Sequence, residues 1–173
     1  MSGIISGFPS IARKDASVLI LGSMPSAESL RQQQYYAHPR NAFWPVMMSL
    51  LGADPELDYQ HRSMVLIENR IAVWDTLKTC IRPGSLDTAI VNASVEVNDF
   101  NLFFLQHISI QYVFFNGRKS EQLFRRYAMK TLPEQDRTLE YHVLPSTSPA
   151  MASLTRQEKT DRWRLLIEKL SAC

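Results

Sequence analysis

The sequence predicts an α/β fold, a three-layer α/β/α sandwich around a central four-stranded parallel sheet. Three observations predict it. Four short runs, "SVLILG" (17–22), "RIAVWD" (70–75), "QYVFFN" (111–116) and "YHVLPS" (141–146), are nearly continuous in apolar character. Strands that alternate are half-buried, whereas continuous ones suit a sheet covered on both faces. The segments between the runs are long enough for crossover helices, and the strand-then-helix order recurs four times, which layers helices on both sides of one sheet.

Taken in order, the strand at 17–22 is followed by a helix over 41–52. Asn41 suits its N-cap, Gly52 its stop, and Pro45 falls in the first turn, where amides lack helical partners. A second helix is expected over 56–69, ahead of the strand at 70–75. A third, "VNDFNLFFLQH" (97–107), precedes the strand at 111–116, and "GRKSEQLFRRYAMK" (117–130) follows that strand directly as a fourth. After 141–146 the C-terminal "TRQEKTDRWRLLIEKL" places Trp163, Leu166, Ile167 and Leu170 at helical spacing, with charges opposite. Repeats, low-complexity tracts and linkers are absent, so residues 1–173 are read as one domain.

Composition narrows the class. Hydrophobic residues make up 45% and charged residues 21% of 173, ordinary for a globular domain. The net charge of +2 permits nucleic-acid binding without requiring it. Cys80 and Cys173 are the only cysteines, with no zinc-type spacing and no disulfide framework. The start "MSGIISGFPSIARKD" lacks a signal-peptide pattern, and no run of ~18 apolar residues would span a membrane. A reducing cytoplasm is the expected location.

In such sheets ligands bind beyond the carboxyl ends of the strands. The segments there are "GSMPS" (22–26), "WDTLKTC" (74–80), "NGRKS" (116–120) and "PSTSPA" (145–150), all rich in small or polar groups. Near them falls "YYAHPRNAFW" (35–44), too polar for a core strand and too aromatic for a solvated loop.

Together these segments resemble the uracil-DNA glycosylase superfamily. "LGSMPS" matches its first motif, a strand ending in Gly-x-x-Pro and a small residue. "HPRNAFW" resembles the aromatic segment of the mismatch-specific branch and "LPSTSPA" the late Pro-Ser loop. The ordered set "LILGSMPSAESL…YYAHPRNAFW…WDTLKTCIRPGSLD…FFNG…LPSTSPA", over roughly residues 17 to 150, is most similar to the hypoxanthine-DNA (deoxyinosine) glycosylase branch. The resemblance implies excision of deaminated adenine from double-stranded DNA, without metal or cofactor. One position departs from the pattern. The superfamily's usual water-handling Asp, Asn or Glu before the motif proline is Met24, and the resemblance implies that Asn41 substitutes for it.

The chemistry assigns expected roles. Cleaving a base from deoxyribose builds oxocarbenium character on the sugar. The nucleotide must be extruded, at a cost of a few kcal/mol, and stacking on a ring returns about 1–3 kcal/mol. The resemblance places that ring at Phe43, with Tyr35 and Tyr36 as walls; Phe43 and Trp44 also suit plain core anchors. Asn41 orients water through its carbonyl, although a helix cap would use the same oxygen. Asp75 is the second candidate for activating water.

Asn116 offers one amide donor and one carbonyl acceptor, the complement of O6 and N1–H of hypoxanthine and a mismatch for adenine. The turn Gly22-Ser23-Met24 aims backbone N–H groups at the base. Ser146, Thr147 and Ser148 hold phosphates, and Met151 is a candidate wedge for the vacated stack. His38 fits either a DNA contact or a backbone bond. The basic residues of 118–130 and 156–169 are interspersed with acids and read as solvated helix faces. No lysine suits a Schiff base, so the expected enzyme is a monomeric, monofunctional glycosylase for hypoxanthine. The alternatives are a uracil or thymine mismatch glycosylase and, because of Met24, a non-catalytic nucleic-acid-binding module.

Overall fold

The computed structural model describes residues 3–173. Strand β1 (Ile4–Ser6) leads to β2 (Val18–Gly22), then helices α1 (Ala27–Gln32), α2 (Phe43–Leu51) and α3 (Tyr59–Glu68). Next come β3 (Ile71–Asp75), β4 (Leu77–Ile81), β5 (Glu96–Val97) and α4 (Phe100–Gln106). The chain continues through β6 (Tyr112–Asn116), α5 (Arg118–Leu123), α6 (Glu134–Arg137) and β7 (Glu140–Leu144), and finishes in α7 (Arg156–Ser171).

The main sheet has the order β3-β2-β6-β7, parallel throughout. Successive strand residues face opposite sides, and each side finds its own core. Val18, Ile20, Val73 and Phe114 pack against α2, α3 and α7 through Phe43, Met47, Leu66 and Trp163. Leu19, Leu21, Val113 and Phe115 pack on the other side against Phe100, Phe103, Phe104 and Phe124. Two dry faces explain why these strands read as continuous apolar runs. The three layers and the four parallel strands are those the sequence predicts.

Three features differ from expectation. A second, antiparallel sheet of order β1-β4-β5 branches off just after β3. Its strands are short and partly exposed, so no apolar run marks them. The segment 117–130 is not one uniform helix: α5 gives way to a π-turn over Phe124–Ala128 and a 3₁₀ turn over Met129–Thr131. The widened turn keeps Phe124, Ala128 and Leu132 all buried beneath the sheet. Finally, Ala42 rather than Asn41 occupies the N-cap of α2, without a side-chain cap.

Helix α7 is closed by a capping box in which Thr155 and Glu158 satisfy each other's backbone N–H groups. Its Trp163 is fully buried and donates from the indole N–H to Pro145 O at 2.9 Å, tying the helix to the loop after β7. Thr155→Ala should lower stability by about 1 kcal/mol, a fall of roughly 2–4 °C in Tm for this size of domain. Thermal unfolding followed by circular dichroism checks it. Among the described residues no helix is long and apolar enough to cross a membrane.

Candidate active site

Register brings the first groups of the site together. Gly22 pairs with Asp75 across β2 and β3, and Asn116 follows Phe115, the partner of Leu21. The carboxyl ends of three adjacent strands thus present a carboxylate, a glycine and a carboxamide side by side. Around them lies a cleft of about 560 Å³, open mouth included, lined also by Ser23, Met24, Tyr35, Tyr36, Asn41, Asp87 and Ser146 to Ser148.

Gly22 is required by proximity. A Cβ at this position would lie 2.2 Å from Asp75 Oδ1 and 3.1 Å from the Tyr36 hydroxyl. The Asp75 carboxyl therefore folds across the end of β2, into space that any other residue would fill. Asp75 itself is only 4% exposed, and its Oδ2 has no hydrogen-bond partner. Burial pushes its pKa up to about 7; the nearby Asp87 adds to the rise, and Arg82 opposes it.

The first-motif turn is clasped from below. The Arg82 side chain, 1% exposed, donates to Met24 O at 3.2 Å, to Gly84 O at 3.2 Å, to Asp87 Oδ1 at 3.3 Å and also to Pro25 O. Asp87 in turn accepts from the Ser23 hydroxyl. Backbone bonds from Thr76 N to Gly22 O (2.9 Å) and Leu77 N to Ser23 O (3.0 Å) fix the same turn. Among the described residues no acceptor meets the N–H groups of Ser23 or Met24, and both residues line the cleft. The Met24 side chain packs with Leu77, Cys80 and Ile90. Arg82 and Asp87 lie in the "WDTLKTCIRPGSLD" stretch that carries the resemblance, yet the sequence assigns neither a role, because nothing in its spacing reveals a buried guanidinium.

The aromatic segment supplies one wall. Tyr36 adopts a left-handed backbone, φ 55°, which costs a non-glycine residue roughly 1–2 kcal/mol. That twist turns its ring into the cleft, where it lies against Phe43 with centroids 3.9 Å apart and an interplanar angle of 24°. Its hydroxyl is buried beside the Asn116 amide, without a hydrogen bond of full geometry. Burial and the neighbouring Asp75 hold this phenol neutral, well above its ordinary range. Tyr35 points instead to the N-terminal segment, donating to Pro9 O at 3.0 Å. Trp44 donates to Tyr35 O at 2.8 Å from a buried position, the anchor role open to it in the sequence.

Phe43 therefore needs correcting as the cleft's ring. It is fully buried, lies behind Tyr36 and packs edge-on against Trp44 and Trp163. As the first residue of α2 its side chain follows the helix face into the core. Asn41 lines the cleft, and its Oδ1 accepts from Phe43 N at 2.9 Å, forming an Asx turn just before α2. His38 shapes the same turn, accepting at Nδ1 from Arg40 N at 3.1 Å.

The loop after β7 meets both walls. Asn116 donates from Nδ2 to Thr147 Oγ1 at 2.8 Å and accepts at Oδ1 from Thr147 N at 2.9 Å, which fixes the orientation of its amide. Thr147 O accepts from Ala42 N at 2.9 Å. Thr147 is fully buried, with its N, O and Oγ1 atoms each hydrogen-bonded inside the fold. It stitches three segments together and cannot reach a phosphate, contrary to its expected role. Ser146 and Ser148 stay partly exposed. Beside Ser146, a shallow groove brings Arg118 and Arg162 next to Met151, and neither arginine joins an ion pair among the described residues. Among the described residues no group of three or more His, Cys, Asp or Glu side chains is placed to hold a metal ion.

Comparisons with known proteins agree with this architecture. The family model of the uracil DNA glycosylase superfamily matches residues 8–170. A hypoxanthine DNA glycosylase from Methanosarcina barkeri is 39% identical over 115 residues, covering 66% of this chain and 72% of the relative. Its namesake from Methanosarcina acetivorans is 34% identical over 159 residues, covering 90% and 93%. A Methanosarcina acetivorans protein solved in solution by NMR, provisionally described as a uracil DNA glycosylase, superposes with a TM-score of 0.78 at 32% identity and covers 98% of this chain and 99% of its own. With the parallel sheet, the clasped Gly-x-x-Pro turn and the matched family model in agreement, the chain belongs to the uracil DNA glycosylase superfamily.

Proposed function

We propose that this chain is a monomeric, monofunctional DNA glycosylase that hydrolyses the N-glycosidic bond of hypoxanthine in duplex DNA, acting in the cytoplasm. The observation that carries the reading is the convergence of Tyr36, Asn41, Asp75 and Asn116 on one cleft around Gly22. The names of the two Methanosarcina relatives support the choice of base.

In this reading the extruded base stacks on Tyr36. Phe43 already backs that ring and holds it rigid, so the gain of about 1–3 kcal/mol per stacked base carries little ordering cost. Asn41 keeps one carbonyl lone pair beyond the one bonded to Phe43 N–H, and that pair orients the attacking water. A neutral amide positions water more than it deprotonates it.

Asn116, its amide fixed by Thr147, retains one N–H and one lone pair. Those complement O6 and N1–H of hypoxanthine, whereas adenine presents a donor and an acceptor in the reverse places. Ser146, Ser148, Arg118 and Arg162 form a margin for phosphates, and Met151 among them fills the vacated stack.

The test is a panel of duplexes carrying one deoxyinosine, one deoxyuridine or a mismatched thymine, followed by alkali. Deoxyinosine should give an alkali-labile site about tenfold faster than the others, a difference of ~1.4 kcal/mol. A faster uracil or thymine arm overturns the assigned base. Saturable binding with no abasic site in any arm, at enzyme excess, overturns catalysis altogether.

A further inference from the structure

We propose that Asp75 enters the reaction as a neutral carboxylic acid and hands its proton to the departing purine. The inference rests on the glycosylase reading above and adds a second catalytic residue to it. Its geometric basis is independent of Asn41.

Asp75 is a side chain more than nine-tenths buried that lines the cleft and leaves one oxygen without a partner. An ionised carboxylate so placed would want donors at both oxygens, and a buried charge without them is costly. A protonated one instead holds an O–H that is satisfied only when an acceptor arrives. The bare Cα of Gly22 gives the carboxyl room to fold across the end of β2, so that Asp75, although 4% exposed, still lines the cleft.

The topology separates this acid from the water. Asp75 ends β3, one edge of the order β3-β2-β6-β7, while the Asn41 segment is bonded to the loop after β7, at the other edge. A base held in the cleft between Asp75 and Asn41 thus has its acid and its water on opposite sides, as displacement at C1′ requires. The C1′–N9 bond breaks with its electron pair passing to the purine. The Asp75 proton moves to a ring nitrogen of that purine, which leaves neutral. The water oxygen bonds to C1′ and releases its proton to solvent, from which the Asp75 carboxylate is later reprotonated. One water is consumed and no other reactant is needed.

The groups facing Asp75 agree with a proton held near neutrality. Burial and the Asp87 carboxylate favour the acid form, the Arg82 guanidinium moderates them, and the phenols of Tyr35 and Tyr36 face it neutral. A general acid works best when its pKa lies near the working pH, and burial places that of Asp75 at about 7. The raised folded value also means that stability due to this group is present below the unfolded pKa of 3.8 and is lost as pH rises to about 7.

Single-turnover excision of hypoxanthine from a deoxyinosine duplex, measured from pH 5 to 9, tests the proposal. For the unaltered protein the rate should hold below pH 6.5 and fall about tenfold per unit above pH 7, as one required proton is lost. Asp75→Asn, isosteric and never acidic, should be about 100-fold slower at pH 6 and lose that alkaline limb. Its affinity for a duplex carrying a tetrahydrofuran abasic analogue should be unchanged. Asp75→Glu should keep a limb at a shifted pH. An unaltered protein whose rate stays level to pH 9 overturns the proposal even if no variant folds, and so does an Asp75→Asn variant that retains the limb. A protein inactive on every base of the panel overturns the glycosylase reading instead, so the two failures are distinguishable.

Discussion

Gly22→Ala is expected to reduce hypoxanthine excision by more than 100-fold and to lower stability by about 1–3 kcal/mol. The cause is a collision, not a change in backbone freedom. The new methyl would sit 2.2 Å from Asp75 Oδ1, far inside contact distance. Asp75 cannot make way without cost, because it is buried and held in register as the last residue of β3. Either the carboxyl rotates away from the cleft or the ends of β2 and β3 separate. The first outcome removes the acid and the second distorts the Ser23–Met24 turn that Arg82 clasps. The methyl also presses on the Tyr36 hydroxyl at 3.1 Å, unseating the stacking ring. Thermal unfolding and single-turnover kinetics together measure both effects. Gly52→Ala serves as the control, since a Cβ there meets nothing within 4 Å and the φ of +63° alone makes it costly; stability should drop while excision persists. A Gly22→Ala variant with undiminished turnover would mean that the strand end is not part of the site.

The strands were legible because burial on both faces leaves a direct trace in the sequence. "VLILG" and "YVFFN" have almost no polar positions, since odd and even residues each meet a helix layer. The strand ends that line the candidate site were legible for a related reason. Gly22, Asp75 and Asn116 end those strands, and a parallel sheet brings its carboxyl ends to one edge.

What was hidden depends on single torsions or distant partners. Four rings crowd "YYAHPRNAFW", and composition cannot say which faces the cleft. The left-handed φ of Tyr36 decides it, sending that ring outward while Phe43, starting α2, turns inward. Thr147 looks as free as Ser146 and Ser148 in "PSTSPA". Only its bonds to Asn116, 31 positions away, and to Ala42 seal it in the interior. The Arg82 clasp is unreadable likewise, because two of its four acceptors are backbone carbonyls, at Met24 and Pro25, far along the chain.

Asn41→Ala should abolish turnover to within the background of the assay, a fall of 10²–10³-fold on the order expected for a lost positioning group. Two jobs meet on this side chain and must be separated. The Asx turn from Oδ1 to Phe43 N sets the entry to α2, and losing it should cost about 1 kcal/mol in stability, as for other helix-start caps. That loss is far too small to explain a thousandfold drop in rate, ~4 kcal/mol in the barrier. Asn41→Asp distinguishes the roles, because a carboxylate still accepts from Phe43 N–H and can also hold or deprotonate water. It should regain the stability in full and a measurable part of the turnover, while Asn41→Ala regains neither. Binding of the tetrahydrofuran duplex should survive in both, since the stacking ring and the phosphate margin are untouched. If Asn41→Ala excises hypoxanthine within threefold of the unaltered protein, the carboxamide only shapes the turn, and water must be oriented by another group lining the same cleft.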